Sequence, residues 1–388
     1  MLDGEMGEAV QLAAEVVVKV AEALGAERLV PVKNAHVSGI SFKNIGEAGL
    51  DFLKSLASKN AKFTVPTTIN PAGFDLKKWR EMNVDDDFFV KQHEIISSLV
   101  KMGAEPILSC TPYEIKTPKY GQHIAWSESN AVLYANSILG ARTNREGGPL
   151  AIFEGIIGRA PYVGLHLREN RLPRLLVKVS DIPKGSSAAL IGYTLGMIVE
   201  TGVPYVESPV FLKDPKDVKL FLAAVGASSS RGLVLIEGVS PEASIYREEI
   251  EKTNVKKIEI TEGDLEDALS RISGELDNVD AFLMGCPHLS LKELLEVRDF
   301  LESKRVEERL ILFTSRNVIE KSGRVVQELK NKGVEIYADT CMVVSDLNRL
   351  GVKSVALDSA KAAYYLTAQG YETVLLTREE ILKKVSGE

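Results

Sequence analysis

Ala281-Phe-Leu-Met-Gly-Cys286-Pro287-His288-Leu289-Ser290 is the stretch that decides how this chain is read. Its first half is apolar without alternation and of strand length, the pattern of a strand buried on both faces of a sheet. From Leu289 to Lys304 the apolar residues recur at helical spacing. A strand therefore hands over to a helix at Cys286-Pro287, where the proline fixes the exit of the chain. In open α/β sheets, ligand-handling residues stand just past the carboxyl ends of strands.

The chain has three cysteines, and the other two close runs of the same kind. Pro106-Ile-Leu-Ser-Cys110 and Val334-Glu-Ile-Tyr-Ala-Asp-Thr-Cys341 both read as strands ending at a thiol. Their wide separation excludes a local CxxC finger. Three thiolates converging at strand ends hold a metal centre and leave one position open, which separates catalytic from structural sites. The competing reading is three buried cysteines that only pack.

The 388 residues suffice for two or three α/β lobes. With 45% hydrophobic and 26% charged residues the composition is that of a globular protein. A net charge of −7 gives no basic footprint for nucleic acid. No run of eighteen apolar residues predicts a membrane span. Asp3, Glu5, Glu8 and Glu15 stand where a signal peptide carries basic residues. An odd, small cysteine count suits a reducing compartment, so a cytoplasmic location is expected.

Gly7 to Leu24 predicts a helix stopping at Gly25. Candidate strands are Arg28–Val32, Lys62–Val65, Leu175–Val179, Gly232–Ile236, Leu310–Thr314 and Thr373–Leu376, with helical stretches such as 318–332 between them. The alternation predicts mostly parallel sheets. The small, polar stretch Ala227–Gly232 suggests a boundary between a first region, 1–230, and a second, 231–388.

Several loops carry chemical groups. Asn34-Ala-His36-Val-Ser38-Gly39-Ile40-Ser41 follows a strand, and a glycine flanked by hydroxyls exposes backbone N–H groups to an anion. Thr67-Thr68-Ile69-Asn70-Pro71-Ala72-Gly73 reads as a turn. Trp126-Ser127-Glu128-Ser129-Asn130 opens a helix, where Glu128 and Ser129 are placed for capping or for a ligand. Ser359-Ala360-Lys361 opens another, with a lysine amid small residues. His36, His123 and His288 lie within the motif loops and offer a zinc alternative, though not in a spacing such as HExxH. His93 and His166 have no such context.

The sequence as a whole resembles the aconitase X family. Six motifs carry the resemblance: Ser109-Cys110-Thr-Pro-Tyr113, Gly121-Gln-His-Ile-Ala-Trp126-Ser-Glu128-Ser129-Asn130, Asn136-Ser-Ile-Leu-Gly-Ala-Arg142-Thr143, Met284-Gly-Cys286-Pro-His288, Asp339-Thr-Cys341 and Ser359-Ala-Lys361. The resemblance implies a multi-lobed α/β catalytic body of the aconitase superfamily, lacking the swivelling domain that bacterial relatives carry fused. It implies an iron–sulfur cluster of the 4Fe-4S type on Cys110, Cys286 and Cys341, with one iron left open. It also implies substrate contacts at Gly39, Ile40, Ser41, Asn70, Pro71, Glu128, Ser129 and Lys361. The activity implied is a hydro-lyase dehydrating (R)-5-phosphomevalonate to trans-anhydromevalonate 5-phosphate, with cis-3-hydroxy-L-proline as the alternative substrate. Because the sequence ends at Glu388, soon after Lys361, the swivelling domain is expected as a separate small subunit carrying the serine base. Arg142 and Arg145 are the motif-adjacent arginines for a phosphate. A redox or regulatory iron–sulfur protein is the reading from another class, and three rather than four cysteines argue against it.

Overall fold

The computed structural model describes residues 1–179, 187–207, 209–212, 214–252, 255–276 and 278–388. Helix α1 (Glu8–Ala23) buries Ala9, Ala13, Val17 and Ala21, one stripe at helical spacing, and Gly25 follows it with φ 72°. After it come β1 (Leu29–Pro31), β2 (Ala35–Ser38), α2 (Phe42–Ser58), β3 (Thr67–Asn70), α3 (Asp86–Lys101), β4 (Ala125–Trp126), α4 (Ser129–Ser137), α5 (Gly148–Ile157) and β5 (Arg159–Pro161). Strands β3-β2-β4 form a parallel sheet, and β1 pairs antiparallel with β5.

The second lobe runs β6 (Pro173–Val179), α6 (Ala188–Ile198), β7 (Val203–Val206), α7 (Pro215–Ser228), β8 (Leu235–Ile236), α8 (Ala243–Lys252), β9 (Lys256–Ile260) and α9 (Glu262–Ile272). Its parallel sheet is ordered β8-β7-β6-β9. Ala227–Gly232 lies inside this lobe, where α7 ends and the chain turns toward β8. Small polar residues there mark a helix end.

The third lobe runs β10 (Ala281–Leu289), α10 (Leu291–Leu301), β11 (Leu310–Thr314), α11 (Arg316–Lys321), α12 (Gly323–Asn331), β12 (Glu335–Tyr337), β13 (Ser354–Leu357), α13 (Ala360–Ala368), β14 (Glu372–Leu375) and α14 (Arg378–Val385). Every residue of β10 is buried, as its unbroken apolar run predicts. The sheet is parallel, ordered β12-β11-β10-β13-β14. Among the described residues no helix is long and apolar enough to cross a membrane.

In the first and third sheets the chain lays its next strand on one side of the starting strand and later moves to the other. The direction of winding therefore reverses at β2 and at β10. A crevice opens past the carboxyl end of a strand at such a point. Ser38-Gly39 stand at the end of β2, and Cys286 lies within β10 where its regular pairing with β11 breaks off after Met284.

Two strand assignments fail. Lys62–Val65 is not a strand, and the pairing falls on Thr67–Asn70, which its Asn-Pro had marked as a turn. The proline follows the last strand residue, where no ladder donor is needed. Pro106–Cys110 makes no strand either, with only an isolated bridge at Glu105.

The lobes meet on a buried ion network. Lys219 of α7 donates to Glu114 Oε1 at 3.2 Å, to Glu293 Oε2 at 2.7 Å and to the His288 carbonyl at 2.9 Å. Arg378 donates to Glu293 at 3.1 Å and to Asp358 at 2.9 Å. Burial alone lifts the Glu293 carboxyl, but Lys219 and Arg378 outweigh it and hold it at about 2. The folded value lies below the ordinary one, so this carboxylate's contribution is complete above about pH 4.5. It is lost as pH falls toward 2. Glu293→Gln is expected to cost about 3–5 kcal/mol near neutral pH, the usual penalty for breaking a buried pair. Urea unfolding of both proteins from pH 7 downward checks this: the gap should narrow only below about pH 4.5.

Candidate active site

Each cysteine is preceded by a residue with left-handed backbone: Leu108 (φ 46°), Gly285 (φ 113°) and Asp339 (φ 65°). This conformation is unfavourable for leucine and tolerable for aspartate. At Gly285 it combines with close packing, since a Cβ would stand 2.1 Å from the Phe313 carbonyl oxygen of β11. The three thiols line one cavity of about 590 Å3, together with Gly39, Asn70, Pro71, Glu128, Ser129 and Lys361. Nine of the eleven site residues expected from the sequence thus share one wall. Ile40 and Ser41 do not line it. They are buried behind the Gly39 turn, where Gln92 Nε2 donates to the Ile40 carbonyl and Ser41 precedes the first turn of α2.

His288 fastens the three cysteine loops together. Its Nε2 lies 2.7 Å from the Thr340 carbonyl, an acceptor, so Nε2 carries the proton. Nδ1 then accepts from Ser109 Oγ at 3.2 Å, and the His288 backbone N–H points at Cys110 Sγ at 3.4 Å. Burial pushes the imidazole down to about 4, so the ring is neutral. Arg316 bonds both Asp75 and Asp339. Asp75 in turn accepts from the Ala338 N–H, fixing the approach to Cys341.

Glu128 is the polar hub of the cavity. Ser38 Oγ donates to it at 2.8 Å, Lys361 at 2.9 Å, Asn130 at 3.0 Å and Asn70 at 3.4 Å. Burial raises its carboxyl, yet the Lys361 ammonium and the Ser38 hydroxyl bring it down to about 2. Glu128 makes no capping bond to α4. Of the two roles open to it in the sequence, its contacts are those of the cavity. Lys361 is pushed above its usual value: burial lowers it, and Glu128 more than compensates.

The motif histidines make no metal site. His123 Nδ1 lies 2.9 Å from His166 Nδ1, outside the cavity wall, and His36 is bonded to Thr68 behind it. Among the described residues no group of three or more His, Cys, Asp or Glu is compact enough for a single ion. Tetrahedral thiolates around one zinc stand about 3.8 Å apart, given a Zn–S distance of about 2.3 Å. Cys110, Cys286 and Cys341 offer three soft thiol donors to one cavity, a donor type that suits iron–sulfur groups as well as zinc. Burial raises all three thiols, Cys286 to about 12, while Lys361 favours their ionised form.

Of the two arginines considered for an anion, Arg142 turns away to the His166 carbonyl. Arg145 lines the cavity, with Lys43 from the first turn of α2. The sequence reading passed over Lys43, Tyr365, Gln369 and Glu146, which also line it. A signal for Glu146 existed in its partner Glu154, a lone acid within the apolar run Leu150-Ala-Ile-Phe-Glu154-Gly-Ile-Ile157.

Comparison with known proteins extends the geometry. Residues 1–169, 173–270 and 279–387 match the family models described as aconitase X first, second and third domain. The chain belongs to the aconitase X family. Among aconitase X relatives, the phosphomevalonate dehydratase large subunit of Methanothermobacter thermautotrophicus is 40% identical, over 94% of this chain and 92% of the relative. The subunit of that name from Methanocaldococcus jannaschii is 36% identical over 99% and 97%. Cis-3-hydroxy-L-proline dehydratase of Pseudomonas aeruginosa is 32% identical over 94% of this chain, which spans 65% of that protein's length. The crystal structure of Thermococcus kodakaraensis aconitase X in its holo-form superposes with a TM-score of 0.89 at 37% identity, covering 99% of this chain and 97% of the other.

The Gly285 contact gives a direct test. Gly285→Ala should destabilise the fold by about 1–3 kcal/mol, the cost of overpacking. Gly323, where an added Cβ would meet no atom within 4 Å, is the control. Gly323→Ala should stay within about 0.5 kcal/mol of wild type in the same urea titration.

Proposed function

We propose that this chain is the large catalytic subunit of an iron–sulfur hydro-lyase that dehydrates (R)-5-phosphomevalonate to trans-anhydromevalonate 5-phosphate. The hydro-lyase class rests on the relatives, all named as dehydratases. The observation that carries the reading is the single wall shared by Cys110, Cys286, Cys341 and the Glu128–Lys361 pair. Cys110, Cys286 and Cys341 would hold a 4Fe-4S cluster with one iron free of protein ligands. When bound, such a cluster supplies Lewis acidity for a departing hydroxyl group.

The protein's own groups do the rest. Lys361, held charged by Glu128, neutralises a substrate carboxylate, and the N–H groups of the Gly39 turn and the Asn70 and Ser129 side chains orient it. Preorganised donors of this kind are worth about 2.7–4 kcal/mol each where charge develops. Lys43 and Arg145 lie in the same wall and suit a phosphate, which cis-3-hydroxy-L-proline lacks. That favours the phosphorylated substrate. A separate small subunit, the partner that the words "large subunit" in the relatives' names call for, closes the cavity and excludes water.

The test is an anaerobic assay of the reconstituted chain, with and without the small subunit, on both hydroxy acids. Dehydration of 5-phosphomevalonate only by the assembled pair is expected. Turnover by the isolated chain would overturn the two-subunit reading, and exclusive turnover of cis-3-hydroxy-L-proline the substrate. Cys286→Ser should abolish the iron–sulfur absorbance and the activity while leaving far-ultraviolet circular dichroism unchanged. Full activity without bound iron would refute the cluster.

A further inference from the structure

One carboxyl in the wall of the cleft has no task in this scheme. Glu146 lines the cavity beside Arg145, on the segment entering α5. Two residues later, Gly148 packs so closely on β2 that a Cβ would stand 2.6 Å from the Ser38 carbonyl oxygen. This contact pins the Glu146 segment against the carboxyl end of β2. Behind it lies Glu154 of α5, fully buried. Glu146 Oε2 and both Glu154 carboxyl oxygens are buried and face no N–H or hydroxyl donor. The two carboxyls are near enough to act on each other's titration.

Two bare carboxylates in that position would repel each other and forfeit their hydration together. A proton between them satisfies both. Burial and the charge of Glu146 push Glu154 well above the carboxylate range, so Glu154 keeps the proton. Burial also raises Glu146, against hydrogen bonds from Glu154 and Asn144. The result is a carboxylate of heightened basicity at the cavity wall. Taking a second proton would leave the buried pair uncharged, the state that burial favours.

The alternatives in this chain are poorer bases. Glu128 is held at about 2 by Lys361, and His123 lies outside the wall. The remaining charged groups of the cavity, Lys43, Arg145 and Lys361, are cations.

We propose that Glu146, backed by Glu154, is the final acceptor of the proton that the substrate loses during dehydration. This rests on the dehydratase reading above. The C–H bond breaks, its electron pair forms the double bond, and the C–O pair leaves with the hydroxide. The proton taken by Glu146 then joins that hydroxide as water, and the pair returns to its singly protonated state.

In the assembled holoenzyme, Glu146→Gln should lower kcat by about 10²–10⁴-fold. KM should stay within about threefold, because the loss is confined to the transition state. Glu154→Gln, whose amide still donates to Glu146, should keep the wild-type pH profile. Glu154→Leu removes that donor and should move the acid limb of kcat/KM to higher pH. An unchanged kcat in Glu146→Gln, or a loss confined to KM, would overturn the proposal. Wild-type enzyme assayed in parallel separates the two readings, since absence of turnover there refutes the dehydratase rather than the acceptor. Infrared spectra of the metal-free chain at pH 7 decide the pair independently. A protonated carboxyl band present in wild type and missing in Glu154→Gln is expected, and its absence from wild type would overturn the shared proton.

Discussion

The cleft depends on the neutral imidazole of His288. Bonded at both ring nitrogens and through its backbone N–H, it connects Ser109, Thr340 and the Cys110 sulfur while standing two residues from Cys286. One residue thereby ties all three cysteine segments together. In the neutral ring Nδ1 accepts from the serine hydroxyl while Nε2 donates to the Thr340 carbonyl. Burial supplies the required neutrality, and the same burial keeps the three thiols protonated in the metal-free chain.

The electrostatics of the site are local, and the overall charge of −7 says little about them. The cavity wall carries the cations Lys43, Arg145 and Lys361 and the carboxylates Glu128 and Glu146, and their surroundings divide the carboxylates into two kinds. Glu128 faces an ammonium and stays ionised at any ordinary pH. Burial pushes Glu146 the opposite way, against the hydrogen bonds from Glu154 and Asn144. Two glutamates in one cavity thereby acquire opposite chemical tempers, one from a paired ammonium and the other from burial.

Much of this was legible in the sequence, for identifiable reasons. The unbroken apolar run ending at Cys286 announced a central parallel strand, because only a strand covered on both faces tolerates that pattern. The loops at Gly39, Glu128 and Lys361 were legible as strand ends and helix starts bearing polar groups, while the individual contacts, Asn70 and Pro71 among them, came from the resemblance to the aconitase X family. Cys110 misled, since Pro106-Ile-Leu-Ser has the composition of a strand but Leu108 turns left-handed instead. Thr67–Asn70 misled in the other direction, its terminal Asn-Pro masking four ladder residues. Glu146 itself carried no signal, and the one hint of it, Glu154 in an apolar run, gains meaning only through the packing of α5 on β2.

The left-handed residues ahead of the cysteines carry a consequence for how the protein is made. Leu108 is held by a backbone bond to Ile69, Gly285 by contact with β11, and Asp339 by Arg316, which also grips Asp75. Each thiol is thus aimed by residues distant in sequence, and two of these tethers belong to finished sheets. A zinc finger folds because its metal arrives. Here the thiols are positioned by long-range packing instead. The three thiols share one cavity only when the first and third lobes are docked. A nascent chain released before residue 341 has no site to offer.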